Sequence, residues 1–261
     1  LVDKTGLILA LTHTYTGYTM VKEAKQLVRS GKLGNVRKVF VEYPQGWLSK
    51  AEEKKGNAQA AWRTDPKRSG MGGAIGDIGT HAANLAEYIT GASITEVCTM
   101  LNNVVPNRLL DDDTSMLVKF ENGASGVLLA TQVAAGEENN LNIRVYGENG
   151  GIEWRQEEPN TLVVKWLDRP KEIMRAGQAY LSDNAKAYVR TPAGHPEGYL
   201  EAFANIYRSF TKAFRDYKPG KKINPEKYDF PDVADGVHGM IFVETVVKST
   251  QSNKKWVTIK K

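Results

Sequence analysis

Apolar and polar positions follow two different periods along this chain, and the period changes several times. Residues 6–12 (GLILALT) form a short continuous apolar run, the pattern of a buried strand. Over residues 18–30, Met20, Val21, Ala24, Leu27 and Val28 recur at helical spacing, and Gly31 and Gly34 supply the stop and the turn after it. Residues 36–44 alternate and predict a strand partly buried on both faces. Residues 45–70 are polar and irregular, which predicts a long loop of the kind that often carries function. From Gly76 a helix is expected to run to about Thr90 and to end at Gly91.

Strands then follow one another: residues 94–101, 114–120, 124–133, 142–147, 151–154 and 161–166. Glu121-Asn122-Gly123 and the Gly147–Gly151 segment are turn chemistry, and strands joined by tight turns are antiparallel. Helical periodicity returns over residues 198–217 and 232–249, and residues 255–260 read as a last strand. In the first of these helices Tyr199, Phe203, Ile206, Tyr207, Phe210, Phe214 and Tyr217 share a face, which is read as core rather than as a ligand groove. The fold class is therefore α+β. We expect an open antiparallel sheet of at least six strands, with the 77–90 helix and the two late helices on one face. The other face, left open and apolar, is expected to build a homo-oligomer.

Composition narrows the picture. The chain has 261 residues, 41% hydrophobic and 25% charged, the profile of a globular protein with a sizeable core. A net charge of +5 without any block of basic residues gives no reason to expect nucleic acid as a partner. The single cysteine, Cys98, excludes an internal disulfide, and no Cys/His spacing suggests zinc. The apolar stretch Gly6 to Leu11 is too short for a membrane span or a signal core, so no membrane is expected and a cytoplasmic location is assigned. The chain opens on Leu1 and soon enters a core-like strand, which suggests a piece of something longer; a processed N-terminus is the other reading.

Candidate chemistry centres on residues 70–81. The run from Gly70 to Gly76 imitates a dinucleotide fingerprint, but its sixth position is Ile75 and it follows a polar loop where a strand is required. The glycines instead open a helix. Asp77 stands at its start, where a carboxylate accepts orphan backbone N–H groups, and His81 follows four residues later on the same face, in line with Asn84 or Leu85. A plain helix cap with a structural histidine fits this spacing as well. A metal pair would need His195 or Glu197 to join, and no metal is assigned.

Residues 61–91 (AWRTDPKRSGMGGAIGDIGTHAANLAEYITG) resemble the central segment of the Gfo/Idh/MocA family, the glucose–fructose oxidoreductases, inositol dehydrogenases and their relatives. Residues 12–43 and the later HPEGYLEAFANIYRSF resemble the family too, in the same order. The resemblance implies an oxidoreductase acting with NAD or NADP on a sugar or polyol hydroxyl. It implies that His81 exchanges a proton with the reacting hydroxyl and that Asp77 holds a substrate hydroxyl and tunes that histidine. Imidazole suits the role because it titrates near neutrality. Arg63, beside Trp62, is a candidate polar clamp, with a solvated arginine as the other reading; His13, Tyr15 and, less directly, His195 complete the candidate substrate-binding set. Relatives also carry a Gly-rich Rossmann domain and a Glu-Lys-Pro segment with a catalytic lysine. Neither is found here, since Glu226-Lys227 is followed by Tyr228 and lies too late. Residues 1–17 are accordingly read as the end of a nucleotide-binding domain and 18–261 as the substrate-binding and oligomerisation domain. This piece alone is expected to be inactive and to bind no nicotinamide dinucleotide tightly. The competing function is a carbohydrate-binding or assembly module that kept the sheet and lost the chemistry.

Overall fold

The computed structural model describes residues 1–218 and 225–260. Four long helices, α1 (Thr19–Arg29), α2 (Thr80–Thr90), α3 (Tyr199–Asp216) and α4 (Val233–Thr250), accompany one nine-stranded sheet. Its strands are β1 (Lys38–Pro44), β2 (Ile94–Asn102), β3 (Asp113–Phe120), β4 (Ser125–Thr131), β5 (Asn142–Tyr146), β6 (Gly150–Arg155), β7 (Thr161–Trp166), β8 (Glu172–Arg175) and β9 (Val257–Thr258). The order across the sheet is β8-β7-β6-β5-β1-β4-β3-β2-β9. All neighbours are antiparallel except β1 and β4, which run parallel from Lys38↔Ser125 to Pro44↔Thr131.

The hairpins follow the local turn chemistry, and Gly123 takes the positive φ of 87° that its turn requires. The parallel pair does not follow from it. β4 and β5 are consecutive in sequence, yet β1 lies between them, so residues 132–141 cross over the end of β1. β1 and β4 therefore end together, and the residues after them emerge side by side at the same end of these two central strands.

The core lies between the sheet and α1, α2 and α4. It is built from the inward set of each strand, Val39, Val41 and Tyr43 on β1 and Met116, Val118 and Phe120 on β3, packed on Leu85, Ile89, Phe242 and Val246. The opposite sheet face is open. One cross-strand row there runs Cys98, Leu117, Val127, Phe40, Arg144, Glu153, apolar in its centre, with Leu117 exposed.

Three expectations are corrected. Residues 6–12 are not a strand. No strand of the described residues pairs with the segment, which has no regular structure; its Leu11 N–H bonds the Pro231 carbonyl and its Ile8 and Ala10 pack near Ile206, Tyr228 and Phe230. The 45–70 loop is punctuated by short helical turns at Glu52–Lys55, Ala58–Arg63 and Pro66–Ser69, the latter two capped by the side chains of Asn57 and Asp65. The face of α3 assigned to the core is only partly so: Ile206 is buried and Phe210 packs against its cluster, but Tyr199, Tyr207 and Phe214 are exposed, and the buried side is completed by Ala202, Asn205, Ser209 and Ala213. α3 packs chiefly on the turn Thr14–Gly17 rather than on the sheet, and small residues let the two backbones approach: a Cβ on Gly17 would lie 2.2 Å from the Ala202 carbonyl oxygen.

A buried ionic clamp ties α1 to the segment before α4. Lys22, wholly buried, bonds Asp229 at 2.8 Å; Lys25 reaches the same carboxylate at 3.0 Å, and the Tyr88 hydroxyl donates to it as well. Burial pushes the Lys22 ammonium down to about 8. Burial works to raise the Asp229 carboxyl, but the two lysine charges hold it at about 2. The side chain of Glu226, named above, lies outside the described residues.

Candidate active site

Residues 75–79 form a π turn leading into α2, with the Thr80 N–H bonded to the Ile75 carbonyl. Single π turns of this kind widen a helix and re-aim its side chains, frequently at functional sites. Asp77 is therefore not the helix cap expected from its position. The cap comes from across the fold: the buried Asp111 carboxylate accepts the Gly73 N–H at 2.6 Å and the Ile75 N–H at 2.7 Å, and the Ala74 N–H bonds the Asp111 carbonyl. Burial raises the Asp111 carboxyl above its ordinary range, against the pull of those two N–H bonds. Gly73 is required by contact, since a Cβ there would lie 2.0 Å from the Asp111 carbonyl oxygen.

With its own helix N–H groups served by Asp111, Asp77 turns outward. Its Oδ2 accepts from Arg63 Nε at 2.9 Å and from Gln132 Nε2 at 2.8 Å. Arg63 is braced by Gln59, whose Oε1 accepts from Nη1 at 2.6 Å, and its guanidinium lies 4.3 Å from the centre of the Trp62 ring. Gln132 is buried and stands just after β4, beside Gln45 just after β1, to which it donates at 3.3 Å. From Gln45 the network continues to Trp47, which donates to it, and to Asn139. Tyr43 donates to Asn139 at 2.7 Å, and the Tyr15 and Tyr43 hydroxyls bond each other.

Asp77 and His81 open into one cavity of about 500 Å³, the size of a small-ligand site. Arg63, Tyr15, Tyr43, Gln45, Trp47, Asn57, Gln59, Asn139 and Tyr199 also line it. Of the candidates read from the sequence, Asp77, His81, Arg63 and Tyr15 thus share one cavity. Trp62 backs Arg63 without lining it. His13 stands behind His81: the two Nδ1 atoms lie 3.1 Å apart with the rings nearly perpendicular, at 88°. His195 and Glu197 are not brought here. His195 is exposed and bonds the Pro192 carbonyl, while Glu197 accepts from the backbone of Arg190 and Thr191. Leu85 points into the core, and Asn84 borders a different cavity with Glu87 and Tyr88.

Burial lowers the His13 imidazole to about 4; burial, with His13 beside it, lowers His81 to about 3. Both rings are neutral at pH 7. A neutral imidazole beside a carboxylate pinned through one oxygen is a set that can grip a hydroxyl and exchange its proton. Sequence reasoning did not find Gln45, Gln132, Tyr43 or Asn139. The signal for the two glutamines is their position after β1 and β4, and it becomes usable only once those strands are known to be parallel neighbours.

The glycine-rich turn is also the test for a dinucleotide. A pyrophosphate needs free backbone N–H groups at a helix start. Here those of Gly73 and Ile75 are already held by a carboxylate, so the turn does not fit one.

The family described as the GFO/IDH/MocA C-terminal domain is matched over residues 21–153. The chain is 30% identical over its whole length to the uncharacterised oxidoreductase YfiI of Bacillus subtilis (strain 168), covering 67% of that protein. Among solved structures, an oxidoreductase from Sinorhizobium meliloti superposes with a TM-score of 0.83 at 37% identity, over 98% of this chain and 66% of that one. An inositol dehydrogenase homolog from Azotobacter vinelandii, complexed with NAD+, superposes with a TM-score of 0.87 at 30% identity, over 96% of this chain and 65% of that one. An inositol dehydrogenase homolog from Azotobacter vinelandii complexed with NADH and myo-inositol superposes with a TM-score of 0.83 at 28% identity, over 97% of this chain and 65% of that one. The chain thus spans about two thirds of the length of these proteins.

Proposed function

Because this chain belongs to the GFO/IDH/MocA family of oxidoreductases, we propose that it carries the substrate-binding and proton-transferring part of a nicotinamide-dependent oxidation of a neutral sugar or polyol. The observation that carries this reading is the opening of Asp77 and His81 into one cavity, with Asp77 Oδ2 fixed by Arg63 and Gln132. Oδ1 is left to accept a substrate hydroxyl. His81 takes the proton of the reacting hydroxyl, as breaking the C–H bond of an alcohol requires. Among the described residues lining the cavity, His81 is the group placed to take that proton.

The substrate is uncharged. Among the described residues, Arg63 is the one arginine or lysine lining the cavity, and Asp77 pairs with it. A carboxylate or phosphate on the substrate would find no free cation there. The amide and phenol groups of Gln45, Asn57, Asn139 and Tyr199 suit hydroxyls instead.

The nicotinamide, NAD or NADP, supplies the hydride acceptor when bound. Its pyrophosphate is not held by the turn at residues 70–76, and the chain as given binds the dinucleotide weakly. Calorimetry with NADH and NADPH at millimolar concentration is expected to give no saturable micromolar binding. The apolar row on the open sheet face is the surface on which copies associate, and analytical ultracentrifugation with Phe40→Glu tests that assignment.

The decisive assay offers the full-length, cofactor-loaded enzyme a panel of neutral cyclic polyols and sugars beside uronic acids and sugar phosphates. Oxidation confined to neutral members is expected. A preference for the anionic members, or turnover of none, overturns the reading.

A further inference from the structure

Of the two histidines at the site, only His81 lines the cavity. His13 sits behind it at the N-terminal side of the Thr14–Gly17 turn, with its Nδ1 3.1 Å from His81 Nδ1. Two nitrogens at that distance share one hydrogen, so one ring donates and the other accepts, and each choice fixes both tautomers.

The two choices differ chemically. If His13 donates, His81 Nδ1 is occupied as an acceptor and its Nε2 already carries a proton, so neither nitrogen can take one. If His81 donates, its Nε2 is bare. On gaining a proton there, His81 keeps its Nδ1–H bonded to His13, and the bond strengthens because its donor is now charged. This arrangement alone keeps both rings hydrogen-bonded before and after proton transfer.

We propose that His13 is a positioning residue that accepts the Nδ1 proton of His81, holding His81 in the tautomer whose Nε2 is free to act as the base. The assignment rests on the proposed proton-transfer role of His81 and says how the fold prepares it. A neutral imidazole here does the work that a carboxylate does behind many working histidines. The choice has a consequence. A carboxylate behind His81 would hold its imidazolium and raise its pKa, whereas a buried neutral ring leaves His81 a weak base that returns its proton readily. Of the other groups near His81, Asp77 is bound through Oδ2 to Arg63 and Gln132, and Tyr15 lies edge-on with ring centres 5.2 Å apart and bonds Tyr43. Tyr199 lies against Tyr15 with ring centres 6.4 Å apart, and among the described residues none of these groups hydrogen-bonds His81.

The test reads tautomers directly. The chain has four histidines, so nitrogen-15 labelling with long-range proton–nitrogen correlation resolves each ring, and single substitutions assign them. At pH 7 His81 is expected to show a protonated Nδ1 and a bare Nε2, and His13 the reverse. In His13→Leu the Nδ1–H preference of His81 is lost. In His13→Gln, whose side-chain carbonyl accepts the same proton, it is retained. In the cofactor-loaded enzyme His13→Leu lowers kcat about 10- to 100-fold, the range typical of partners that orient a working histidine, with KM little changed and His13→Gln recovering most of the loss. A bare Nδ1 on His81 in the wild-type chain overturns the proposal. If the tautomers are as expected but His81→Ala keeps full turnover, the proton-transfer role fails instead, and the two failures are told apart.

Discussion

Gln132 donates its side-chain amide to Asp77 Oδ2 at 2.8 Å, joining the end of β4 to the π turn. The bond restrains a carboxylate that no group of its own helix holds. Gln132→Leu keeps the buried volume and removes the donor. A hydrogen bond to a charged group contributes about 1.5–3 kcal/mol, so KM for the polyol is expected to rise about tenfold or more with the fold intact. Steady-state kinetics with circular dichroism as a control checks this, and an unchanged KM shows that Asp77 does not grip the substrate.

His81→Ala is expected to lower kcat by about 10²–10⁴-fold, the usual contribution of a positioned acid–base group, while KM changes by much less. A variant with wild-type turnover removes the acid–base role and leaves His81 as a packed histidine.

The histidine pair also predicts an acid response. The folded pKa values of about 4 and about 3 lie below the ordinary 6.5. Between pH 6.5 and 3 the unfolded chain binds protons that the folded chain refuses, so the stability fully present above pH 6.5 is lost as the pH falls through that window. Each ring contributes a slope of up to about 1.4 kcal/mol per pH unit. The melting temperature of His13→Gln/His81→Gln should fall less steeply than that of the wild-type chain between pH 6.5 and 4. Parallel curves would show that the rings protonate freely in the folded state.

At the buried clamp, Asp229 has a positive φ of 54°, which asparagine tolerates. Asp229→Asn therefore keeps the turn and removes the charge that faces wholly buried Lys22. Leaving a buried charge unpaired is expected to destabilise the fold by about 3–5 kcal/mol, read as a lowered urea midpoint. The double variant Lys22→Met/Asp229→Asn should recover part of the loss.

The local part of the fold was legible in the sequence. The helices over residues 18–30, 198–217 and 232–249, the strand runs and the Asn-Gly hairpin all rest on periodicity and turn chemistry, which act over a few residues. The sheet and the family were reached by that route and by the segment around Asp77 and His81. What escaped depends on distant partners. β1 lies between β4 and β5, and no local pattern encodes that insertion. The capping of the π turn by Asp111, and with it the release of Asp77, depends on a residue that no helix-start rule reaches. Tyr199, Tyr207 and Phe214 were assigned to the core along with Ile206 and Phe210 because hydrophobic periodicity marks a face without saying which part of it turns to solvent. The run at residues 6–12 has no ladder to pair with among the described residues, and its apolar pattern alone does not make a strand.

The central placing of β1 has a consequence for how the chain acquires its shape. Lys38 is among the first sheet residues to be made, yet its ladder partners are Ser125 on one side and Tyr146 on the other. Until β5 has emerged from the ribosome, β1 has at least one bare edge, and an unpaired edge is a template for association with other chains. Hairpins β3–β4 and β6–β7 close early because their partners are near in sequence. The sheet becomes one body only when β1 docks between β4 and β5, a high-contact-order event that sets a slow step. Nascent chains stalled before Tyr146 should therefore be the species that holdase chaperones retain.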